Sequence, residues 1–347
     1  MKVFFSVEHR RHHPVRDLVM GREVGVFEKP ARAEVVAQTL RVEGHDVMAP
    51  TDHGTGPIEA VHDPRYLHYL ESAWTEWQAL GFEHPLIPDT FPLSRLLDGR
   101  LDAVAADGTA RAMSGHFTFD TATPLVAGTY VAARASADCA LSAADAVLAG
   151  GRFAFAACRP PGHHAGRDFY GGYCFLNNSA IAATALRSAA GGRVAVLDLD
   201  FHHGNGTQQI FWDDPEVLTV SIHGHPDRQY PYFTGRAEEI GAAGAEGSNL
   251  NVPLPAGVDD HAYLAAVAGA SDRVARFDPA HLVVPLGVDT FVDDPLGDFA
   301  VTTDGYARIG RRVASLKLPT VVLLEGGYAV GAIGRNVASF LRGLEQV

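Results

Sequence analysis

Two aspartates and a histidine occupy alternate positions in the segment LDLDFHHGNG, residues 197–206. Residues two apart on an extended chain point the same way, so Asp198, Asp200 and His202 share one face if a strand leaves a sheet here. Asp200 and His202 are a carboxylate–imidazole pair of the kind that binds zinc, and Asp289, which follows a separate apolar run, is a candidate third ligand. Two carboxylates and one imidazole leave a coordination position for water or substrate, as in a catalytic zinc site rather than a structural one.

Two adjacent histidines lie in the segment RPPGHHAG, residues 159–166. Adjacent residues do not suit a single metal-binding face, whereas neutral imidazoles have a pKa near the working pH and serve well as proton-transfer groups. A hydrogen-bonding partner usually fixes the tautomer of such a histidine. We expect Asp198 to be that partner for His163, and Asn205 for His164.

A tyrosine ends the segment EGGY, residues 325–328. The two glycines permit a sharp turn after an apolar run, which would point Tyr328 inward. Its hydroxyl can donate a hydrogen bond to the oxyanion that develops when an amide is attacked. Taken singly, each motif is also compatible with a helix cap, a solvated loop or a simple turn, but the pattern DxDxHHGNG taken whole indicates a metal site.

Alternating strands and helices are predicted to position these groups. Apolar runs indicate strands at residues 2–6, 153–157, 193–199, 217–223, 281–288 and 320–324. Helical spacing and stop signals indicate helices at residues 31–43, 64–79, 129–149, 178–189, 206–212, 259–277, 304–316 and 331–344. The alternation predicts one α/β domain, residues 1–347, with a mainly parallel sheet and helices on both faces. Polar residues follow four of the strands, and open α/β sheets bind ligands at the carboxyl ends of their strands.

The segment at residues 81–128 departs from this alternation, because it is rich in proline and glycine and has no clear period. A long irregular stretch inside a compact domain is usually functional or an interface. Its apolar side chains would be costly to leave in water. They are Leu86, Ile87, Phe91, Leu93, Leu96 and Leu97. We expect this inserted segment to close a homodimer.

The composition is that of an ordinary globular protein, with 47% hydrophobic residues and no stretch that reaches the roughly 18 apolar residues of a membrane span. The formal net charge of -13 argues against general binding to nucleic-acid phosphates and suits a small cationic partner weakly. The three cysteines form no CxxC pair, and the start, MKVFFSVEHRRHHP, lacks the apolar core of a signal peptide. We therefore expect a cytoplasmic protein that binds neither nucleic acid nor membrane.

These motifs, in this order, resemble those of the histone deacetylase and acetylpolyamine amidohydrolase family. The matching segments are RPPGHHAG (159–166), GGYCFLNN (171–178), LDLDFHHGNGTQ (197–208), SIHG (221–224), LGVDTF (286–291) and LEGGY (324–328). The resemblance runs over most of the chain. It implies the α/β arginase/deacetylase fold and a zinc-dependent enzyme that hydrolyses an acetyl amide.

The resemblance also implies a role for each matching residue of the reaction centre. The implied zinc ligands are Asp200, His202 and Asp289. His164 would be the general base and acid, and His163 would act mainly through its charge. The remaining catalytic position, that of the transition-state tyrosine, is held by Tyr328.

Further positions match the family's substrate and ion sites. Tyr173 and Tyr230 match the aromatic pair around the substrate stem, with Gly172 beside them, and Arg32 matches the arginine at an internal acetate channel. The chain departs from the family pattern around residues 120–128, where Asp120 is our candidate for binding the distal ammonium of the substrate. The family's structural potassium would lie at Asp198, Asp200, His202, Ser221 and Ile222.

Three features resemble the acetylpolyamine branch: HGNG with Asn205, LEGGY with Glu325, and the irregular segment 81–128. We therefore expect hydrolysis of acetylated polyamines or diamines. One alternative is a protein acetyl-lysine deacetylase, which uses the same chemistry in an open cleft. Another is a non-catalytic zinc-binding member of the fold, which the intact His164 and Tyr328 disfavour. An arginase-like ureohydrolase would need a second metal site.

Overall fold

The computed structural model describes residues 1–93 and 108–346, and within them eight parallel strands form one sheet. Along the sheet the strand order is β4-β1-β5-β10-β9-β6-β7-β8. These strands are β1 (Lys2–Phe4), β4 (Asp46–Met48), β5 (Phe153–Ala156), β6 (Val194–Asp198), β7 (Val217–Gly224), β8 (Asn249–Leu254), β9 (His281–Leu286) and β10 (Thr320–Leu324). A separate antiparallel hairpin consists of β2 (Asp17–Val19) and β3 (Arg22–Val24).

Helices flank this sheet, and the residues just after Ser6 form a short 3₁₀ helix, Val7–Arg11. The α-helices are α1 (Ala31–Val42), α2 (Gly56–Glu59), α3 (Pro64–Ala79), α4 (Ala110–Met113), α5 (Thr129–Leu148), α6 (Asn178–Ala190), α7 (Asn205–Ile210), α8 (Asp260–Phe277), α9 (Thr303–Ala314) and α10 (Val330–Glu345). No helix of the described ranges is long and apolar enough to cross a membrane.

The core consists of two apolar clusters, one on each face of the sheet. Along β10, Val322 and Leu324 belong to the cluster with α1, α8, α9 and α10, whereas Val321 and Leu323 belong to the cluster with α3, α5 and α6. Successive strand residues point to opposite faces, so a strand covered on both sides must be apolar throughout. This explains the run TVVLL and confirms the predicted α/β fold.

Helix ends follow local capping chemistry. Before α3, the Asp63 carboxylate accepts a hydrogen bond from the Arg65 amide, and Pro64 occupies the first helical position. Predicted and observed boundaries coincide for α3 and β10. The predicted strands 193–199 and 281–288 end earlier in the structure, at Asp198 and Leu286, because the residues that follow leave the sheet to build the site.

Four strands were not predicted from the sequence: β2, β3, β4 and β8. The first three have only three residues each, too few to show a period. The sequence of β8, NLNVPL, contains two asparagines and Pro253, which are depleted in strands. It lies at the edge of the sheet, where a missing backbone donor is tolerated.

The described parts of the irregular segment fold back on their own chain. Leu86 is fully buried and pairs with Leu125 through two backbone hydrogen bonds of 2.9 and 3.1 Å. Phe91 and Leu93 remain 37% and 49% exposed. The predicted apolar positions Leu96 and Leu97 lie outside the described residues.

Candidate metal centre and catalytic groups

The carboxyl ends of β5, β10, β9 and β6 lie side by side in the sheet. The chain leaves β6 into Asp200 and His202, leaves β9 towards Asp289, and leaves β10 into the EGGY turn. The loop with His163 and His164 follows β5. Since parallel strands end at the same edge, four stretches far apart in sequence meet there.

Asp200, His202 and Asp289 converge at this edge, with one ligand atom from each within 4.8 Å of the others. His202 Nδ1 lies 3.0 Å from Asp289 Oδ2 and 3.3 Å from Asp200 Oδ1. Both carboxylates are buried, and burial together with the charge of Asp200 raises the pKa of Asp289. Two buried carboxylates with one imidazole between them fit a divalent cation, which would compensate the second negative charge.

Backbone amides orient the remaining carboxylate oxygens. The Gly326 N–H donates to Asp200 Oδ2 (2.7 Å), and the Phe201 N–H donates to Asp289 Oδ1 (2.9 Å). Residue 326 must be glycine, because a Cβ there would overlap both carboxylates. The EGGY pattern predicts only a turn at this glycine and gives no sign of its contact with the metal ligands.

The two histidines have different partners, and they are the partners expected from the sequence. His163 Nδ1 lies 2.9 Å from Asp198 Oδ2, and His164 Nδ1 lies 2.6 Å from Asn205 Oδ1. Asn205 Nδ2 donates to the His164 carbonyl at 3.4 Å, which supports this orientation of the amide. Because an amide oxygen only accepts, His164 Nδ1 carries the hydrogen and Nε2 is the basic nitrogen.

The electrostatic surroundings shift the pKa values of the two imidazoles in opposite directions. Burial lowers the pKa of His164 well below its usual range, and the neighbouring His163 lowers it further. Burial acts in the same direction on His163, but the carboxylates of Asp200 and Asp198 outweigh it and raise the pKa of His163 to about 10. A cation bound at Asp200 would weaken the attraction between Asp200 and His163 and leave the attraction between Asp198 and His163. His164 is therefore a neutral proton acceptor beside a charged His163.

A second group of possible ligand atoms in the described ranges comes from His163, Cys174 and Glu325. Burial holds the pKa of the Cys174 thiol well above its usual range, so it is neutral, and a thiolate is the form that binds metal. His163 is already engaged by Asp198. These side chains do not favour the second metal that an arginase-like ureohydrolase would need.

A cavity of about 290 Å³ opens onto these groups. His164, His202 and Tyr328 line it, together with Tyr173 and Tyr230. The ring of Tyr230 lies 5.0 Å from that of His164, and the ring of Tyr173 lies 5.8 Å from that of Tyr328. A metal ligand, the neutral histidine and the tyrosine therefore face one space.

Comparison with known proteins agrees with this geometry. The chain matches the histone deacetylase domain over residues 26–344. The chain belongs to the histone deacetylase family. This confirms the resemblance inferred from the motifs, and membership of this family implies a metal-dependent deacetylase.

Its relatives include full-length matches. The sequence is 45% identical to acetylpolyamine amidohydrolase 1 of Pseudomonas aeruginosa over 342 residues, 98% of each chain. It is 40% identical to acetylpolyamine amidohydrolase of Mycoplana ramosa over 345 residues, 99% of each chain. The crystal structure of acetylpolyamine aminohydrolase from Burkholderia pseudomallei is similar to this fold with a TM-score of 0.94 at 40% identity, over 100% of this chain and 99% of that chain.

Within this deacetylase site, Asp294 and Arg32 hold the turn that carries Tyr328. Asp294 Oδ2 accepts from the Tyr328 amide (2.6 Å) and the Ala329 amide (3.0 Å). Arg32 is fully buried, donates to the carbonyl of Gly327 (2.6 Å), and places its guanidinium 4.8 Å from the centre of the Tyr328 ring. Asp294 was not predicted, because its role is visible only once β9 and β10 are adjacent.

Glu325 has a structural role that the LEGGY pattern did not predict. Its side chain is fully buried, and Oε2 accepts from the amides of Gly162 (2.7 Å) and His163 (3.2 Å). It therefore fixes the backbone of the histidine loop. An acidic residue at the end of an apolar strand was the available signal, but its partners lie about half the chain away.

Gly172 and Asp120 occupy the cavity wall. Gly172 has a φ of 56°, and a Cβ there would overlap the His164 ring. Its amide donates to Asp120 Oδ2 (2.7 Å), which also accepts from the Tyr230 hydroxyl (2.8 Å). The expected substrate residues are therefore neighbours, but the carboxylate of Asp120 is engaged by the protein itself.

The five expected potassium residues also lie together. Asp198 on β6 is in register with Ser221 on β7, and Ile222 is the next residue of that strand. The Asp200 amide donates to Asp198 Oδ1 (3.0 Å), and the His202 amide donates to Asp200 Oδ1 (2.9 Å). These bonds curl the chain tightly after β6.

Proposed function

We propose that this chain is a zinc-dependent amidohydrolase that removes the acetyl group from acetylated polyamines or diamines and releases acetate and the free amine. The observation that carries this proposal is the convergence of His202, His164 and Tyr328 on one cavity, with Asp200 and Asp289 beside His202. The names of relatives that are 40–45% identical over nearly the whole chain support the substrate class.

The metal ligands, His164 and Tyr328 would each have a distinct role in the reaction. Asp200, His202 and Asp289 would hold zinc, which when bound polarises the acetyl carbonyl and lowers the pKa of a water molecule. His164 Nε2 would take a proton from the attacking water and deliver it to the departing amine nitrogen. Tyr328 would donate its hydroxyl hydrogen to the oxygen that becomes negative as the carbonyl carbon turns tetrahedral.

The substrate class is tested by side-by-side turnover of an acetylated diamine and an acetyl-lysine peptide by the zinc-loaded protein. We expect the diamine to have the higher kcat/KM, because the cavity is only about 290 Å³ and four tyrosines line it. A preference for the peptide would instead identify a protein deacetylase. Turnover of neither substrate, at full zinc content, would support a non-catalytic member of the family.

We propose further that the ions and the compartment follow the family pattern. The tight turn at Asp198–His202, with Ser221 and Ile222 beside it, would hold a structural potassium ion. Residues 1–347 would form one domain, which the single eight-stranded sheet supports. The three cysteines are free thiols, which fits a reducing compartment such as the cytoplasm.

We also propose a homodimer closed by the segment 81–128. Phe91 and Leu93 keep apolar area exposed within this segment, which supports a partner surface there. Light scattering at micromolar concentration should give twice the mass of the 37.0 kDa chain. A stable monomer under those conditions would contradict the proposal.

A further inference from the structure

Asp120 is the one carboxylate among the described residues that line the cavity, and four donors from the protein already occupy it. Its Oδ2 accepts from the Gly172 amide (2.7 Å), the Tyr230 hydroxyl (2.8 Å) and the Thr123 hydroxyl (3.2 Å). Its Oδ1 accepts from the Ala122 amide (3.1 Å). A carboxylate offers about four lone-pair positions, so an ammonium would have to displace one of these donors.

These four bonds join separate parts of the cavity wall. Gly172 precedes Tyr173 on one side, and Tyr230 belongs to a different loop that follows β7. Asp120 thus holds the two aromatic walls at a fixed separation. Asp120 is therefore a positioning residue. A different group must then bind the distal ammonium of a diamine.

Backbone strain is concentrated at the same cavity. Five non-glycine residues in the described ranges have a positive φ, and three of them line this cavity: Met20 (50°), Tyr173 (67°) and Tyr232 (70°). Such conformations are unfavourable for residues with a Cβ and persist where function requires them. Tyr232 is also 44% exposed, so its ring reaches from the cavity to solvent.

The Tyr232 ring continues the aromatic lining outwards. Its centroid lies 6.3 Å from that of Tyr230, with the two planes 75° apart. The Tyr230 ring in turn lies 5.0 Å from His164, in the interior of the site. A substrate whose acetyl group is beside His164 would therefore extend past Tyr230 towards Tyr232.

We propose that Tyr232 determines specificity by binding the distal ammonium of the substrate against its ring, while Asp120 only positions the cavity walls. This inference rests on the proposed diamine hydrolysis. An ammonium within about 6 Å of a tyrosine face is attracted by the ring quadrupole. This attraction requires no free carboxylate at the mouth.

Two substrates of equal length separate charge recognition from simple packing. One is an N-acetylated diamine, whose distal amine is charged at pH 7, and the other is the N-acetyl alkylamine with a methyl group in place of that amine. The ratio of their kcat/KM values measures recognition of the charge. Tyr232→Leu keeps an apolar side chain without a π face, and Tyr232→Phe keeps the π face.

In zinc-loaded protein we expect Tyr232→Leu to reduce this ratio by about 3- to 30-fold and Tyr232→Phe to leave it within about twofold of the wild-type ratio. Asp120→Asn should lower kcat/KM for both substrates and preserve the ratio, because it disturbs the walls and not the charge site. Zinc content and thermal unfolding of each variant show whether it is folded.

A ratio that collapses in Asp120→Asn and survives in Tyr232→Leu would overturn the proposal in favour of a direct ion pair with Asp120. A ratio that neither variant changes would overturn it as well. If the wild-type protein with full zinc content hydrolyses neither substrate, the proposed function itself is wrong, and that outcome is distinct from both.

Discussion

Replacing Asp289 by alanine is expected to remove the bound zinc and to abolish hydrolysis. The change leaves one carboxylate and one imidazole, because Asp200 and His202 would be the only remaining protein ligands of the three that converge. A catalytic zinc normally has three protein ligands. The change also takes away the acceptor of the Phe201 amide, which lies 2.9 Å from Asp289 Oδ1. Metal analysis after dialysis, together with turnover of an acetylated diamine, measures both effects.

Asp289→Asn separates loss of the ligand's charge from loss of structure. An asparagine retains an oxygen that can accept from Phe201, so the fold should be preserved while metal affinity falls. Asp138→Asn is a matched control, because Asp138 is also a largely buried aspartate but accepts from the His53 amide and is neither a converging ligand nor a residue that lines the cavity. It should keep full zinc and activity. Full zinc retention by Asp289→Ala would refute the ligand assignment.

The parts of the fold that could be predicted are those whose signal is local. Neighbouring residues in the sequence determine where β10 (TVVLL) and the Asp63-capped helix α3 begin and end. Strand β8 escaped prediction because NLNVPL contains two asparagines and a proline, and because its place in the sheet depends on pairing with β7. The β2–β3 hairpin escaped because its strands have only three residues each, and it brings Met20 to the cavity.

The residues of the site also divide into those that could be predicted from the sequence and those that could not. Residue types and spacing were enough to select Asp200, His202 and Asp289 as a group, because metal chemistry restricts the choice of side chains. Asp120 was instead our candidate for the ammonium ligand that the family resemblance implies, yet in the structure its oxygens accept from Gly172 and Tyr230, 52 and 110 residues away. Hydrogen bonds between distant segments carry no local signature in a single sequence.

Replacing Tyr328 by phenylalanine is expected to lower kcat by about 100- to 1000-fold. Burial holds the pKa of Tyr328 well above its usual range although Arg32 opposes this, so the hydroxyl remains a protonated donor. Its bond to the oxyanion strengthens as the carbonyl becomes tetrahedral, which is why substrate binding should change less than kcat. Asp294 and Arg32 hold the turn through backbone atoms of residues 327–329, so the variant should keep this geometry.

The two histidine variants give the comparison that identifies the proton-transfer group. His164→Ala removes the neutral imidazole and should reduce kcat at least as much as Tyr328→Phe, whereas His163→Ala should reduce it less, because Asp198 keeps that ring charged and unable to accept a proton. Steady-state kinetics on zinc-loaded variants, with zinc content measured alongside, decides the order. Wild-type turnover in Tyr328→Phe would rule out this mechanism. Among the described residues that line the cavity, Tyr328 is the one side-chain donor on the turn after β10.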